Sequence, residues 1–200
     1  VWKRAMMFHD VIGGLRNDIP RDEVMWGVNF RMAELLAAVM LVQLRRLDGL
    51  LMRMRERKRM LMSGIDEVAR RKGVAFQKST DPAGDAAVAL IFFVDGPGTA
   101  ARVSEALRAE NISAGVLYHP DRMDYHVYAH WLPIMTKRSW APRGGPWRAA
   151  RRQIEYATDS CPRTLDLLGR AVHLDVSPLL TNQDVEETIE GLNRVLSVVA

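Results

Sequence analysis

Leu36, Met40, Leu44, Leu47, Leu51 and Met54 recur at steps of three and four, which puts them on one stripe of an α-helix. Leu61, Ile65 and Val68 carry that stripe on towards Gly73. The spacing predicts one long helix, or two in series with Gly49 or Ser63-Gly64 as the break. Asn29 is an N-cap residue type, and Met32, Ala33, Glu34, Leu35, Leu36, Ala37 and Ala38 after it are good helix formers. A Leu/Met stripe of this length belongs to a core or a subunit interface. The first twenty-nine residues read as irregular, because Gly13-Gly14, Asn17-Asp18, Pro20 and Gly27 are turn and loop signals.

Beyond Gly73 the period changes. Ala87 to Val94 is a continuous apolar run of strand-forming type, closed by Asp95-Gly96-Pro97-Gly98. Thr99 is expected to cap a helix to about Glu110 that turns Val103, Ala106 and Leu107 inward. Gly115 to Tyr118 and Ala171 to Val176 read as further strands. A last helix opens at Thr181 with Asp184 in its first turn, close to a capping box, and carries Val185, Ile189, Leu192, Leu196 and Val199 on one face. The order implies an α/β unit, a small sheet covered by helices, antiparallel or mixed. Residues 121–152, with Trp131, Trp140 and Trp147, receive no assignment.

Composition narrows the function classes. With 48% apolar and 26% charged residues over 200 positions, a core can be buried. Arg45, Arg46, Arg53, Arg55, Arg57, Lys58 and Arg59 cluster on the predicted helix, but no aromatics are interleaved to stack bases. A solvated face is therefore preferred to a nucleic-acid or membrane surface. No stretch approaches the ~20 apolar residues of a membrane span, and Val1-Trp2-Lys3-Arg4 is not followed by a signal-peptide core. Cys161 is the sole cysteine, which rules out an internal disulfide and fits a reducing, cytoplasmic setting. A start without Met is what a stretch taken from a longer protein would show.

No local catalytic motif stands out: there is no phosphate loop, HExxH, GxSxG or calcium loop. His9, His119, His126, His130 and His173 invite a metal hypothesis, with His126 and His130 four apart on one helical face. Tyr125, Val127, Tyr128 and Trp131 surround them and no carboxylate follows at a ligand spacing, so packing or hydrogen-bonded histidines are preferred. Gly27-Val28-Asn29-Phe30-Arg31 entering a helix brings an amide, a guanidinium and free N–H groups together, which suits an anion. Spacing alone favours an N-cap asparagine followed by a surface arginine.

The stretch Gly27-Val28-Asn29-Phe30-Arg31-Met32-Ala33-Glu34-Leu35, continuing through Ala37-Ala38 to Gln43-Leu44 and Leu47-Asp48, resembles the DegT/DnrJ/StrS aminotransferases. Their signature is G-x-N-[YF]-R-M-x-E-L-x-A-A followed by QL-x-x-L-D. Cys161-Pro162, the Ala171 to Leu174 strand, Leu180-Thr181 and Asp184-Val185 follow the family's closing order, and Ile112 to Pro120 is similar to the intervening strand that ends near the substrate pocket. Met123 to Arg152 matches poorly, and Asp175-Val176-Ser177 stands where the family tends to have a proline-containing strand exit.

The resemblance implies a fold-type I transferase dependent on pyridoxal 5'-phosphate, a homodimer with active sites at the subunit interface. Such enzymes move an amino group from glutamate or glutamine onto a keto sugar, often nucleotide-linked, or a keto cyclitol. Residues 1–30 would be the end of the cofactor-binding large domain, 31–72 the interdomain helix region, and 73–200 the small domain. By similarity Asn29 would hydrogen-bond the cofactor phosphate of the neighbouring subunit. Arg31 would face an anionic substrate group. Tyr118, His119 and His126 would line the substrate pocket, with packing as the competing role. The family's cofactor lysine lies upstream of the signature. Lys3, Lys58, Lys72, Lys78 and Lys137 do not match it, so this stretch alone is expected to be inactive. A related branch has histidine there and dehydrates sugars. A non-catalytic module that pairs through the Leu36 to Met54 stripe is the other alternative.

Overall fold

The computed structural model describes residues 1–200 apart from 11–18, 25–26, 29 and 140–143, and the side chain of Arg21. Gly13-Gly14, Asn17-Asp18, Asn29 and Trp140 therefore lie outside the described residues. The chain forms two compact units, Val1–Gly49 and Leu50–Ala200.

In the first unit, α1 (Trp2–His9) replaces the irregular start expected there. Eight residues without a side-chain cap make a marginal helix by themselves. Its C-terminal end is held by a returning strand of chain: Val28 N–H donates to the Phe8 carbonyl at 3.1 Å, and Phe30 N–H to that of His9 at 2.8 Å. Met7 is buried beneath the contact and the Phe8 and Phe30 rings lie 5.8 Å apart.

α2 (Glu34–Lys72) is one unbroken helix of 39 residues, about 58 Å long. It starts at Glu34, later than an Asn29 cap implied, and breaks at neither Gly49 nor Gly64. Gly64 has a packing role. A Cβ there would meet the Ile189 side chain at 2.6 Å, and its carbonyl accepts from Asn193 Nδ2 at 2.9 Å. The helix ends because Gly73 adopts φ 69°, letting Val74 N–H reach back to the Ala69 carbonyl at 2.9 Å.

The second unit holds a four-stranded sheet in the order β1-β2-β4-β3: β1 (Ala75–Phe76), β2 (Ala89–Phe93), β3 (Ala114–Val116) and β4 (Ala171–Asp175). Every pairing is antiparallel, which settles the choice left open by the sequence. Leu90 faces Leu174 and Phe92 faces Val172, while Ala114 and Val116 oppose the same two β4 residues. These six side chains share one face of the sheet, because directly opposed residues point the same way. Leu61, Ile65 and Val68 of α2 join them in the core. So do Val103 and Leu107 of α3 (Pro97–Ala109) and Val185, Leu192 and Leu196 of the last helix.

α3 begins at Pro97 with Gly96 as N-cap, so Thr99 does not cap it. Proline suits N1, where its missing N–H is no loss. It closes as α2 does: Asn111, at φ 61°, takes the glycine's part, and Ile112 N–H donates to the Leu107 carbonyl at 2.8 Å. Between β3 and β4 lie the short helices α4 (Leu132–Met135), α5 (Gly145–Ala149) and α6 (Pro162–Arg170), none of which the periodicity predicted. The last helix, α7 (Asn182–Val199), has the full capping box: Thr181 Oγ1 accepts from Asp184 N–H at 3.1 Å, and Asp184 Oδ2 accepts from Thr181 N–H at 2.7 Å.

Part of the basic cluster is structural instead of a solvated face. Arg57 donates to the Leu180 carbonyl and to Asn182 Oδ1 at 3.0 and 2.6 Å, clamping α2 to the start of α7. Lys58 and Arg55 hold Asp85.

Candidate active-site residues

The signature turn explains itself from Gly27 upward. A Cβ at Gly27 would collide with the Met7 carbonyl oxygen and come within 2.7 Å of that of Phe8. Only glycine lets the returning chain lie this close to the end of α1. Phe30 then meets Phe8 with the rings tilted by 47°, and Asp10, 7% exposed, sits just beyond the helix end. Arg31 Nε lies 3.8 Å from Asp10 Oδ2. The guanidinium expected to meet an anionic substrate group is thus placed beside a buried carboxylate of its own unit, and half of its side chain is exposed. Asn29, between the two backbone contacts, is outside the described residues.

The other expected residues fall on the loop from Tyr118 to Trp131. Tyr118 packs its ring 5.6 Å from that of His130. His119 Nδ1 accepts from Asp121 N–H at 3.1 Å, and His119 forms an isolated bridge with Arg122. His126 is exposed, and its Nδ1 lies 2.9 Å from Asp124 Oδ1. The buried histidine is His130, whose Nδ1 lies 3.0 Å from both the N–H and the carbonyl oxygen of Asp124. His126 stands in a turn and His130 in a single 3-10 turn (Tyr128–His130), so they do not share a helical face. Among the described residues no group of three or more metal-ligating side chains occurs.

Asp124 is the residue that sequence reasoning missed. Its carboxylate accepts the His126 backbone N–H at 2.8 Å and also meets the His126 ring, while its own N–H holds His130. The backbone N–H first, and the imidazole second, hold its carboxyl below the usual carboxylate range. The available signal was the Asp-x-His spacing, in which an aspartate bonds the N–H two residues on. The aromatics near this loop act as pins. Tyr128 Oη donates to the Thr158 carbonyl at 3.0 Å and accepts from Cys161 N–H at 2.8 Å, and Trp131 Nε1 donates to the Tyr125 carbonyl at 2.6 Å. Irregular chain is held here by side chains where a sheet would use its ladder.

Chemically, the loop offers an imidazole and phenol face with one fixed carboxylate. The turn at Gly27 offers a guanidinium at a helix approach.

Similar folds occur in solved proteins. A sugar aminotransferase from Streptococcus pneumoniae in its PMP form matches with a TM-score of 0.57 and 18% identity, over 88% of this chain and 38% of its own. The 3-amino-5-hydroxybenzoic acid synthase matches at 0.63 and 20%, over 98% of this chain and 47% of its own. DesV of S. venezuelae matches at 0.60 and 18%, over 94% and 44%. The chain spans less than half the length of these structures. At such identities they carry the fold: a long helix followed by a small helix-covered sheet, as in fold-type I aminotransferases. The family itself rests on the sequence profile, which matches residues 3–137 and so takes in both the Gly27 turn and the Tyr118 to Trp131 loop: the chain belongs to the DegT/DnrJ/EryC1/StrS aminotransferase family.

Proposed function

We propose that this chain is the C-terminal part of an aminotransferase dependent on pyridoxal 5'-phosphate, transferring the amino group of glutamate or glutamine to a keto sugar or keto cyclitol. The observation that carries this reading is the family match over residues 3–137, together with the physical need for glycine at the first position of the signature turn. The cofactor supports it too, since the Streptococcus pneumoniae neighbour is known in PMP and PLP forms. When bound, that group supplies the electron sink for amino transfer.

Three of the five lysines of this chain are engaged by partners of their own. Lys3 is paired with Glu23 at 2.9 Å, Lys58 with Asp85 at 2.7 Å, and Lys72 donates to the Ala200 carbonyl at 2.8 Å. The covalent anchor for the cofactor would come from residues outside this stretch, and these 200 residues alone would not transaminate. In the working enzyme Asn29 would bind the cofactor phosphate across a homodimer. Tyr118, His119 and His126 would orient the sugar hydroxyls, and Arg31 would meet an anionic group. Residues 1–30 would close the large domain, 31–72 would form the connecting helix and 73–200 the small domain, in a cytoplasmic enzyme. Among the described residues no helix is long and apolar enough to cross a membrane.

A second reading has its own observation. Leu35, Leu36, Val39, Met40, Leu41, Val42 and Leu44 of α2 are all exposed, between 48% and 81%. So large an apolar surface marks an interaction face, and a non-catalytic pairing module would use it in the same way.

The reading of the DNA upstream of Val1 separates these. An open frame with an acidic and aromatic-bearing domain and a lysine before the signature is the expected result, followed by glutamate-dependent amination of a keto sugar by the whole product. A histidine in the lysine's place would instead point to a sugar dehydratase. A start codon immediately before Val1 would overturn the enzyme and favour the pairing module.

A further inference from the structure

The second unit contains an open groove of about 760 Å³ between the α2 segment from Arg55 to Asp66 and the chain from Phe76 to Ala87. Its volume lies within the range of small-molecule sites. Met62, Phe76, Pro82 and Ala87 give it apolar walls, with Arg55 and Arg59 beside them.

One side of the groove is built, and built at a cost. Asp85 Oδ2 takes Lys58 Nζ at 2.7 Å and its Oδ1 takes the Ala87 N–H at 2.8 Å, while its carbonyl takes Arg55 Nε at 2.6 Å. Ala87, buried, is held at φ 56°, a left-handed conformation that a residue with a Cβ adopts only under constraint.

The charges do not cancel. Lys58 is spent on Asp85, and Asp66 is engaged by Arg70 at 3.0 Å. Arg55 uses only its Nε. Among the described residues no hydrogen bond or ion pair is made by the terminal nitrogens of Arg55 or by any part of the Arg59 guanidinium. The two residues are four apart and so lie on one face of α2, where like charges repel. Glu56 lines an adjoining hollow with Met52 and both arginines and does not line the groove itself. Two planar forks above apolar walls are the complement of an oxyanion attached to an apolar or aromatic body.

We propose that this groove is a binding site for a small organic anion, a phosphate monoester or a carboxylate with a flat apolar body. Arg59 and the Arg55 terminal nitrogens take the oxyanion, and Phe76 and Met62 take the body. The site is independent of the proposed transamination.

The test uses the 200-residue chain, isotope-labelled, titrated with 1-naphthyl phosphate and followed by NMR at the arginine side chains and the backbone amides. The expected result is saturable shifts at the Arg59 side chain and at the amides of Phe76 and Gln77, weakened by added salt. Inorganic phosphate, which lacks the body, and 1-naphthol, which lacks the charge, should each bind at least about tenfold more weakly. Arg59→Gln should lose about tenfold in affinity with an unchanged circular-dichroism spectrum, and Arg59→Lys should recover only part of it, since it restores charge without the fork. Equal binding of 1-naphthol, shifts confined to residues 35–47, or an unaffected Arg59→Gln variant would each overturn the proposal.

Discussion

The two ends of α2 carry the same kind of residue and meet opposite fates. Leu61, Ile65, Val68 and Ala69 are at most 2% exposed, while Leu36, Met40, Leu44 and Leu47 are 42–64% exposed. Helical periodicity is identical in the two, because it reports only that apolar side chains share a stripe. What differs is the partner. The second half lies against the sheet and α7, and the first half presents its stripe to solvent. A hydrophobic stripe therefore announces a surface that needs covering, and it does not say by what.

Substitutions can break that comparison. Ile65→Ala empties a fully buried position and should cost about 2–5 kcal/mol in a denaturant melt of this chain. The matching change Leu44→Ala should stay within about 0.5 kcal/mol, because its side chain is already in water. A comparable loss at both sites would mean that the first half of α2 is covered in solution, and sedimentation would then show whether by a second copy.

The glycines of the same helix sharpen the contrast. Gly64→Ala drives a methyl into Ile189 and should destabilise by about 1–3 kcal/mol. Gly49 has open space around its would-be Cβ, so Gly49→Ala should stabilise by up to about 1 kcal/mol through helix propensity alone. Opposite signs in thermal melts are the expected outcome. Equal signs would show that Gly64 is not held against α7.

The pH dependence tests how the second half is tied down. Lys58 first, and the Ala87 N–H after it, hold the Asp85 carboxyl below its ordinary value. A depressed carboxylate contributes stability that is complete above its unfolded value near 4 and is lost as pH falls through the folded value. Asp85→Asn should cost about 1 kcal/mol at neutral pH. The gap from the parent chain should close in acid. A gap that stays constant as the pH falls into the acid range would place the loss in packing instead of charge.

A loss of similar size is expected at the α7 cap. Thr181→Ala removes the hydroxyl that receives Asp184 N–H and should cost about 1 kcal/mol by denaturant melt. An unchanged midpoint would mean that α7 is fixed by its buried face alone.

How much could be read beforehand follows the range of the interactions. The α7 cap was legible because Thr181 and Asp184 satisfy each other within one turn. β2 and β4 were legible because apolar runs between turn residues can hardly be anything else in a small domain. α1 was not, since Trp2–His9 carries no capping signal and depends on Val28 and Phe30, about twenty residues later, to fix its end. α6 was hidden by its length, and β1, two residues long, exists only as the edge partner of Phe92 and Phe93. In the candidate site, Tyr118, His119 and His126 were named from a resemblance. The partners that hold them, His130 for Tyr118, Asp121 for His119 and Asp124 for His126, come from the path of the loop.

Local chemistry in the sequence was enough for the family, the helical nature of residues 34–72, the strand runs and the N-terminal stop of α7, because each depends on neighbours a few positions apart. The tertiary structure alone decided which half of α2 is buried, why Gly27 and Gly64 must be glycine, that the sheet is antiparallel throughout, and which cations are spent and which remain open. Those outcomes depend on contacts between residues far apart in the chain, and no spacing along the chain encodes the distance between them in space.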